Sequence, residues 1–305
     1  MNPTIAALLP VFALIALGFA LRAAVFRGDG FWEPVEKLTY YVLFPALLIV
    51  SMAQARVSGP MILPLAAVLA AVMVAIFALL AIVLRPLLRL PGPAFSSVVQ
   101  GSVRFNTYVG LAAAASLHGR AGTALLAIVL ALLIPLSNVL SVIALTRHAA
   151  EGAPSWRGTL VELATNPLII ASAIGLALSL TEAPLPLFIA PVLDSLGRAS
   201  LALGLLAVGA GLRFGSLAAG GSALAASTLL KLIVSPLLAW FGCRALQLDP
   251  LATAIAVLFA ALPPAPSAFI LARRLGGDHG LMANIITVHT ITAAVTLPIV
   301  LSLLD

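Results

Sequence analysis

The sequence is poor in charged residues and holds a single cysteine. Charged side chains make up 9% of its 305 residues, whereas a soluble domain carries about 25%. The lone Cys243 excludes an internal disulfide and a metal site built from cysteines. Enzyme motifs are missing too, because there is no His-Glu-x-x-His zinc motif, no Gly-x-Ser-x-Gly turn and no phosphate-binding loop. We therefore predict neither an enzyme nor a bound cofactor or metal.

Long apolar runs dominate what is present. Hydrophobic residues account for 62% of the chain, and many runs approach the ~20 residues that a helix needs to cross a bilayer. Such runs are too long for barrel strands, so the sequence predicts an all-α integral membrane protein. We predict about ten spans, at residues 5–25, 38–53, 60–84, 93–117, 123–144, 167–180, 186–212, 222–243, 251–271 and 282–304.

The basic residues indicate topology. The net charge is +6, but these residues lie between the apolar runs and not in a cluster, which argues against nucleic acid as a partner. Cytoplasmic loops collect arginine and lysine. The loops we assign to the cytoplasm carry Arg22, Arg27, Lys37, Arg85, Arg89, Arg147, Arg157, Arg213, Arg273 and Arg274, and the opposite loops carry Arg56, Arg120 and Arg244. Both termini are then predicted on the outer side.

A linker at residues 146–162 divides the apolar segments into two equal groups. We predict a first five-helix repeat over residues 1–145, a cytoplasmic linker over 146–162 and a second repeat over 163–305. An odd number of spans in each half gives the halves opposite orientations, which is the arrangement of an inverted repeat.

Segment nine contains three prolines within four positions, at Pro263, Pro264 and Pro266. Each proline removes a backbone donor and clashes with the preceding turn, so a continuous helix cannot run through them. The alternative is a simple proline kink. Lipid cannot bond the freed peptide groups, so a break there must be buried in protein or line a wet cavity. Ser267 then lies near the N-terminus of the second half-helix, an end suited to an anion.

Segment four carries polar and small residues at the matching position of the other half. Arg104, Asn106 and Thr107 lie near its middle, followed by Gly110 as a hinge. Interrupted segments at matching positions of two halves point to a transport site. An amide such as that of Asn106 can bind a carboxylate, cap a broken helix or simply bond a neighbouring helix.

Two cations, Arg104 and Lys231, lie at mid-membrane depth. A charge there costs about 2.5–3.5 kcal/mol on a lipid-exposed helix, and nearly all acidic residues lie in loops or at segment ends. This imbalance favours an anionic substrate, unless a cation extends to the interface or bonds freed carbonyls. Weaker candidates are Ser51, near Pro45, and Asn138, near Pro135. His289 could relay protons, but we interpret it as a hydrogen-bonding core residue, the more common role of a lone histidine in a membrane segment.

Four runs resemble the auxin efflux carrier family, whose bacterial members are often described as malonate or malate permeases. They are Arg104–Leu111, Tyr41–Leu48, Lys231–Pro236 and Pro263–Pro266. The resemblance implies the inverted-repeat fold of sodium/proton antiporters and bile-acid transporters, with segments four and nine crossing as broken helices at the substrate site. The chain departs from the family at Ala112, where a proline is common, so the break in segment four rests on its polar residues.

We expect a secondary transporter of a small organic anion, auxin-like or a dicarboxylate, in a bacterial cytoplasmic membrane. Its substrate-binding residues would be Ser51, Arg104, Asn106, Thr107, Gly110, Asn138, Lys231, Pro263, Pro264, Pro266 and Ser267. Two alternatives stay open: a sodium-coupled symporter of the bile-acid type, and a membrane sensor that transports nothing. The expected partners are the anion and the lipid bilayer, and the oligomeric state is open, a homodimer included.

Overall fold

A computed structural model describes residues 3–54, 59–148, 164–165, 167–181, 185–213 and 221–303. All regular structure within these ranges is helical, as the apolar composition predicts, and no strand occurs in them. Six helical stretches among the described residues are long and apolar enough to cross a membrane. They are Thr4–Ala24, Met61–Leu87, Gly92–Leu145, Ile189–Ala210, Gly221–Ala245 and His279–Ser302. The finer prediction of ten spans in two inverted repeats stays a prediction.

The chain folds into two compact units that interleave along the sequence. The first unit comprises Met1–Ile62, Tyr108–Leu132 and Leu160–Gly211, and the second comprises Leu63–Thr107, Leu133–Thr159 and Leu212–Asp305. These units do not coincide with the predicted halves 1–145 and 163–305. The assignment of those halves as repeats stays a prediction. The predicted linker lies outside the described residues beyond His148.

Among the described residues, the first unit contains five complete helices and part of a longer one. They are α1 (Pro3–Ala24), α2 (Asp29–Leu38), α3 (Phe44–Gln54), α8 (Pro167–Leu180) and α9 (Ile189–Ala210), with residues 108–132 of α7 (Thr107–His148). Helices α1 and α9 pack so closely that a Cβ atom at Gly209 would overlap the carbonyl oxygen of Ile15, and one at Gly18 would overlap that of Leu206. Small residues thus let two helix backbones touch.

The second unit contains most of α4 and all of the helices near the C-terminus. Its helices are α4 (Gly59–Leu79), α5 (Arg85–Leu87), α6 (Gly92–Val103), the end of α7, α10 (Gly221–Leu229), α11 (Ser235–Ala245), α12 (Pro250–Ala260), α13 (Ser267–Arg274) and α14 (His279–Ser302). Helix α6 packs against α10 and α14. Gly101 lies at that crossing, since a Cβ there would come within 2.6 Å of Ile285 and 2.7 Å of Ser227.

Three prolines inside apolar segments each follow one turn of π-helix. The π segments Thr39–Leu43, Leu80–Leu84 and Leu230–Val234 end two residues before Pro45, Pro86 and Pro236 respectively. A proline ring clashes with the carbonyl four residues earlier, and the wider π turn makes room for it. The sequence predicts kinks at Pro45 and Pro236, and a widened turn is the form that the helix distortion takes.

Glycine bends α7. Gly119 has φ 58° and ψ −144° within the helix, a conformation that side chains with a Cβ rarely adopt. The predicted boundary between segments four and five, residues 117–123, falls on this bend. The two segments are therefore continuous in the chain but change direction at one glycine.

Asp278 fastens the start of α14 to the start of α6. Its side chain accepts a hydrogen bond of 2.9 Å from the backbone N–H of Leu281, which caps α14. Its own N–H donates to the carbonyl of Pro93 at 3.1 Å, and its carbonyl accepts from the Ser97 hydroxyl at 2.8 Å. Three bonds of one residue thus join two helix N-termini.

Candidate functional site

Two helix breaks lie within the second unit. The first comprises residues 104–106, between the end of α6 at Val103 and the start of α7 at Thr107, and Arg104 is extended there with φ −80° and ψ 159°. The second comprises residues 261–266, between α12 and α13. Pro263, Pro264 and Pro266 explain the second break because they lack N–H donors. The first break occurs without any proline.

The two breaks bond to each other. The backbone N–H of Asn106 donates to the carbonyl of Pro263 at 2.7 Å, and the ring centroids of Phe105 and Phe259 lie 4.5 Å apart. The hydroxyl of Ser137 donates to the carbonyl of Val103, the last residue of α6, at 3.3 Å. Peptide groups released by the breaks therefore find partners inside the protein, as burial in a membrane requires.

Arg104 connects the first break to two other elements. Its Nη1 donates to Oδ1 of Asn138 on α7 at 3.1 Å, and its Nη2 lies 3.5 Å from Oγ of Ser267. Ser267 is exposed and is the first residue of α13, whose N-terminus carries a partial positive charge. The positively charged guanidinium of Arg104 is thus held beside the N-terminus of α13, which carries a partial positive charge.

The site is positive and rich in hydrogen-bond donors. Residues 104–107, 138 and 261–267 include one arginine, two amides, a threonine and a serine, and no carboxylate. The side chain of Asn106 is fully buried. Within the described ranges, no three His, Cys, Asp or Glu side chains come together as metal ligands. A cationic fork beside a helix N-terminus is the arrangement that binds carboxylates and other small anions.

The structure thus brings together five predicted residues, Arg104, Asn106, Asn138, Pro263 and Ser267. Three others border them: Thr107 begins α7, Pro264 is buried in the second break and Pro266 precedes α13.

Three predicted residues lie elsewhere. Lys231 is in the second unit, buried in the π segment Leu230–Val234, and no described bond joins it to either break. Gly110 is buried in the part of α7 that belongs to the first unit. Ser51 lies in α3 of the first unit, and its side chain is outside the part of the chain that the structure describes.

Sequence reasoning misses the residues that join the breaks. Phe105 and Phe259 pass as ordinary apolar residues, and Ser137 resembles many small residues in membrane helices. Gln100 escapes it as well, although it is fully buried and its side-chain N and O atoms have no hydrogen-bond partner among the described residues. A buried amide in an apolar segment is a signal that could have drawn attention to it.

Comparison with known families supplies the class of protein. The sequence profile of the membrane transport protein family (Mem_trans) matches residues 155–301. The second half of the chain is therefore similar to this family. The resemblance to the auxin efflux carriers is thereby confirmed over residues 155–301, which include the second break, Lys231 and all but the last residue of α14. A comparison with curated proteins gave no match.

The family match and the helices agree. The protein is a multi-pass membrane protein, since six described stretches can span a bilayer. The matched family comprises transporters, not enzymes.

Proposed function

We propose that the protein is a secondary transporter that carries a small organic anion, a dicarboxylate or an auxin-like carboxylate, by alternating access around its two helix breaks. The observation that carries the proposal is the bond between Asn106 and Pro263 beside the Arg104 guanidinium. Broken helices that meet at one point leave helix ends and donors free to bind a solute. No carboxylate competes for Arg104 within the breaks.

The anion would bind between Arg104, the α13 N-terminus at Ser267 and the amide of Asn106. Arginine binds a carboxylate through two parallel N–H donors, which fixes its orientation. Asn138 would hold the guanidinium in place through the 3.1 Å bond. Thr107, Pro264 and Pro266 would shape the pocket walls, and the prolines would keep the second break from closing into a helix.

The proposal extends to topology. The excess of arginine in alternate loops supports cytoplasmic placement of Arg22, Arg85 and Arg213 and of the 146–162 linker, with both termini on the outer face of a bacterial cytoplasmic membrane. Two inverted repeats over residues 1–145 and 163–305 would place segments four and nine as equivalents. Labelling of single cysteines by a membrane-impermeant reagent at residue 3 and in the linker would test this orientation.

The direct test is uptake into proteoliposomes that contain the purified full-length protein. Radiolabelled malonate and indole-3-acetate serve as probes. We expect Asn106→Ala to abolish uptake and Arg104→Gln to reduce it at least tenfold, because each removes a donor to the anion. The matched control is Arg198→Gln, since Arg198 is an exposed arginine paired with Asp194 one turn earlier on α9.

Normal uptake by both site variants would overturn the assignment of the site. Uptake that requires sodium would favour the sodium-coupled symporter. Stabilisation of the protein by an anion without any flux would favour a sensor.

A further inference from the structure

A second cluster of buried polar groups lies in the second unit, where α6, the π segment Leu230–Val234 and α14 pack together. Lys231 is 2% exposed, and Gln100 and His289 are fully buried. Both side-chain polar atoms of Gln100 and both ring nitrogens of His289 lack a hydrogen-bond partner among the described residues. Native proteins rarely leave buried polar atoms without a hydrogen-bond partner.

Neighbouring contacts bring these residues to one place. Gly101, next to Gln100, lies against Ser227 and Ile285. Lys231 and His289 follow Ser227 and Ile285 by four residues, which is about one helical turn on each helix. Helix α14, which carries His289, also packs against the π segment that carries Lys231. The three helices thus bring an amine, an imidazole and an amide towards one buried point.

Lys231 has no negative partner among the described residues of this unit. The only acidic residues there are Asp249 and Asp278, and each caps a helix, through Ala252 and Leu281 respectively. No described salt bridge involves Lys231. An isolated buried ammonium is very costly, so such a group gives up its proton unless an anion compensates it.

The titratable groups on the elements around Lys231 are few. Helices α6 and α10 carry none. Helix α14 carries His289 and, about 15 Å further along its axis, His279. Helix α11 carries Cys243 and Arg244 at its far end, about 18 Å beyond Lys231. Of these groups, only His289 belongs to the buried cluster around Lys231.

We propose that Lys231 is a proton-binding site, at which the amine takes up a proton when an anion occupies the breaks and releases it when the anion leaves. In the proton-loaded form the amine binds a proton from water and becomes an ammonium, in the same cluster as the unbonded polar atoms of His289 and Gln100. The unit would then carry one anion and one proton together. The coupling rests on the proposed anion transport, whereas the proton exchange of Lys231 stands by itself.

One structural feature favours this role. The backbone carbonyl of Gln100 accepts the backbone N–H of Arg104 at 2.9 Å, so the cluster and the anion site are one helical turn apart on α6. Opposite charges on the order of 10 Å apart change each other's binding roughly tenfold at an effective dielectric constant near 20.

The chain offers a direct test because it contains two lysines, Lys37 and Lys231. Lys37 is exposed and bonds Glu33 at 2.8 Å, and this hydrogen bond raises the pKa of Lys37 above its ordinary value. In full-length protein labelled with ¹³C,¹⁵N-lysine and placed in lipid nanodiscs, Lys37 is therefore a built-in reference that stays an ammonium. The variant Lys37→Arg assigns the two NMR signals.

We expect the Lys231 signal to change from ammonium to amine within the pH range over which Lys37 stays an ammonium, because burial disfavours the charged form. Malonate should move that change towards higher pH by about one unit, which is the tenfold coupling. A Lys231 signal that stays ammonium, or stays amine, over the whole range overturns the proposal. If the Lys231 signal changes from ammonium to amine at the same pH with and without malonate, Lys231 is a proton-binding site but is not coupled to the anion.

Transport supplies the second readout. In proteoliposomes, an inwardly directed proton gradient should stimulate malonate uptake by wild type and by Lys37→Met. It should have no effect on Lys231→Met, which cannot bind a proton, or on Lys231→Arg, which cannot release one. Stimulation that persists in Lys231→Arg overturns the proposal. Absence of all organic-anion uptake in wild type refutes the proposed function instead, and the NMR titration still decides whether Lys231 exchanges a proton.

Discussion

The backbone N–H of Asn106 donates a hydrogen bond of 2.7 Å to the carbonyl oxygen of Pro263. Each residue lies in a helix break, so each break supplies the partner that the other lacks. An unmade bond of this kind would leave a buried donor and acceptor, each costing about 1–3 kcal/mol. The bond therefore explains how a membrane-embedded chain tolerates two interrupted helices within one unit.

Removing that donor should destabilise the protein separately from any effect on transport. Asn106→Ala and Asn106→Pro both lose the side-chain amide, but only Asn106→Pro removes the backbone N–H, so Asn106→Pro should be less stable than Asn106→Ala by about 1–3 kcal/mol. Thermal unfolding of the two purified variants in the same detergent measures the difference. Equal stabilities would show that the bond contributes nothing measurable.

Asn138 should affect transport only through Arg104. Because its Oδ1 accepts from the guanidinium at 3.1 Å, Asn138→Ala should lower anion uptake several-fold by releasing the arginine. In Arg104→Gln the same change should have no further effect, since residues that act as a unit are not additive. Initial uptake rates of the four proteins test this. The ion pair of the half-buried Asp194 with the exposed Arg198 is the matched control, and its variants should leave uptake unchanged in all combinations.

The contact between α1 and α9 should be intolerant of one methyl group. A Cβ at Gly209 would overlap the backbone oxygen of Ile15, which cannot rotate away as a side chain could. We expect Gly209→Ala to cost about 1–3 kcal/mol in unfolding free energy. Gly30→Ala, in an exposed helix with no atom within 4 Å of the new methyl, should be neutral or slightly stabilising. A destabilised Gly30 variant with an unchanged Gly209 variant would contradict the packing described for α1 and α9.

The bend in α7 should depend on Gly119. Space is available there, since no atom lies within 4 Å of the position that an added methyl group would take, so any cost of Gly119→Ala comes from its φ of 58°. Such strain amounts to about 1–3 kcal/mol. The midpoint of chemical or thermal unfolding of Gly119→Ala, compared with that of the control variant Gly30→Ala, measures this cost. An unaltered midpoint would mean that α7 bends elsewhere or not at all.

Much of the site is predictable because its signals are local. Pro263, Pro264 and Pro266 remove three backbone donors within four positions, so the second break follows from covalent geometry alone. Arg104 and Asn106 are conspicuous in an apolar segment, and the first break falls on them. Composition and run length are enough for the helical membrane class, which the helices and the family both confirm.

The remainder depends on contacts between distant parts of the chain. Nothing in the sequence near Asn138 indicates that it meets Arg104 across 34 residues, and nothing near Phe259 indicates that it meets Phe105. The interleaving of the two units is likewise set by how the helices pack. Gln100 and His289 are visible in the sequence as polar residues in apolar segments. A single amide or imidazole is usually satisfied by a neighbour, however, and only the structure leaves their atoms unbonded among the described residues.

The three hydrogen bonds at Asp278 have a mechanical consequence. Since they join the N-terminus of α6 to the N-terminus of α14, neither helix can shift along its axis by itself without breaking these hydrogen bonds. A movement of α6 that displaces Arg104 would therefore also displace His289 on α14, so the proposed anion site and the proposed proton site would move together.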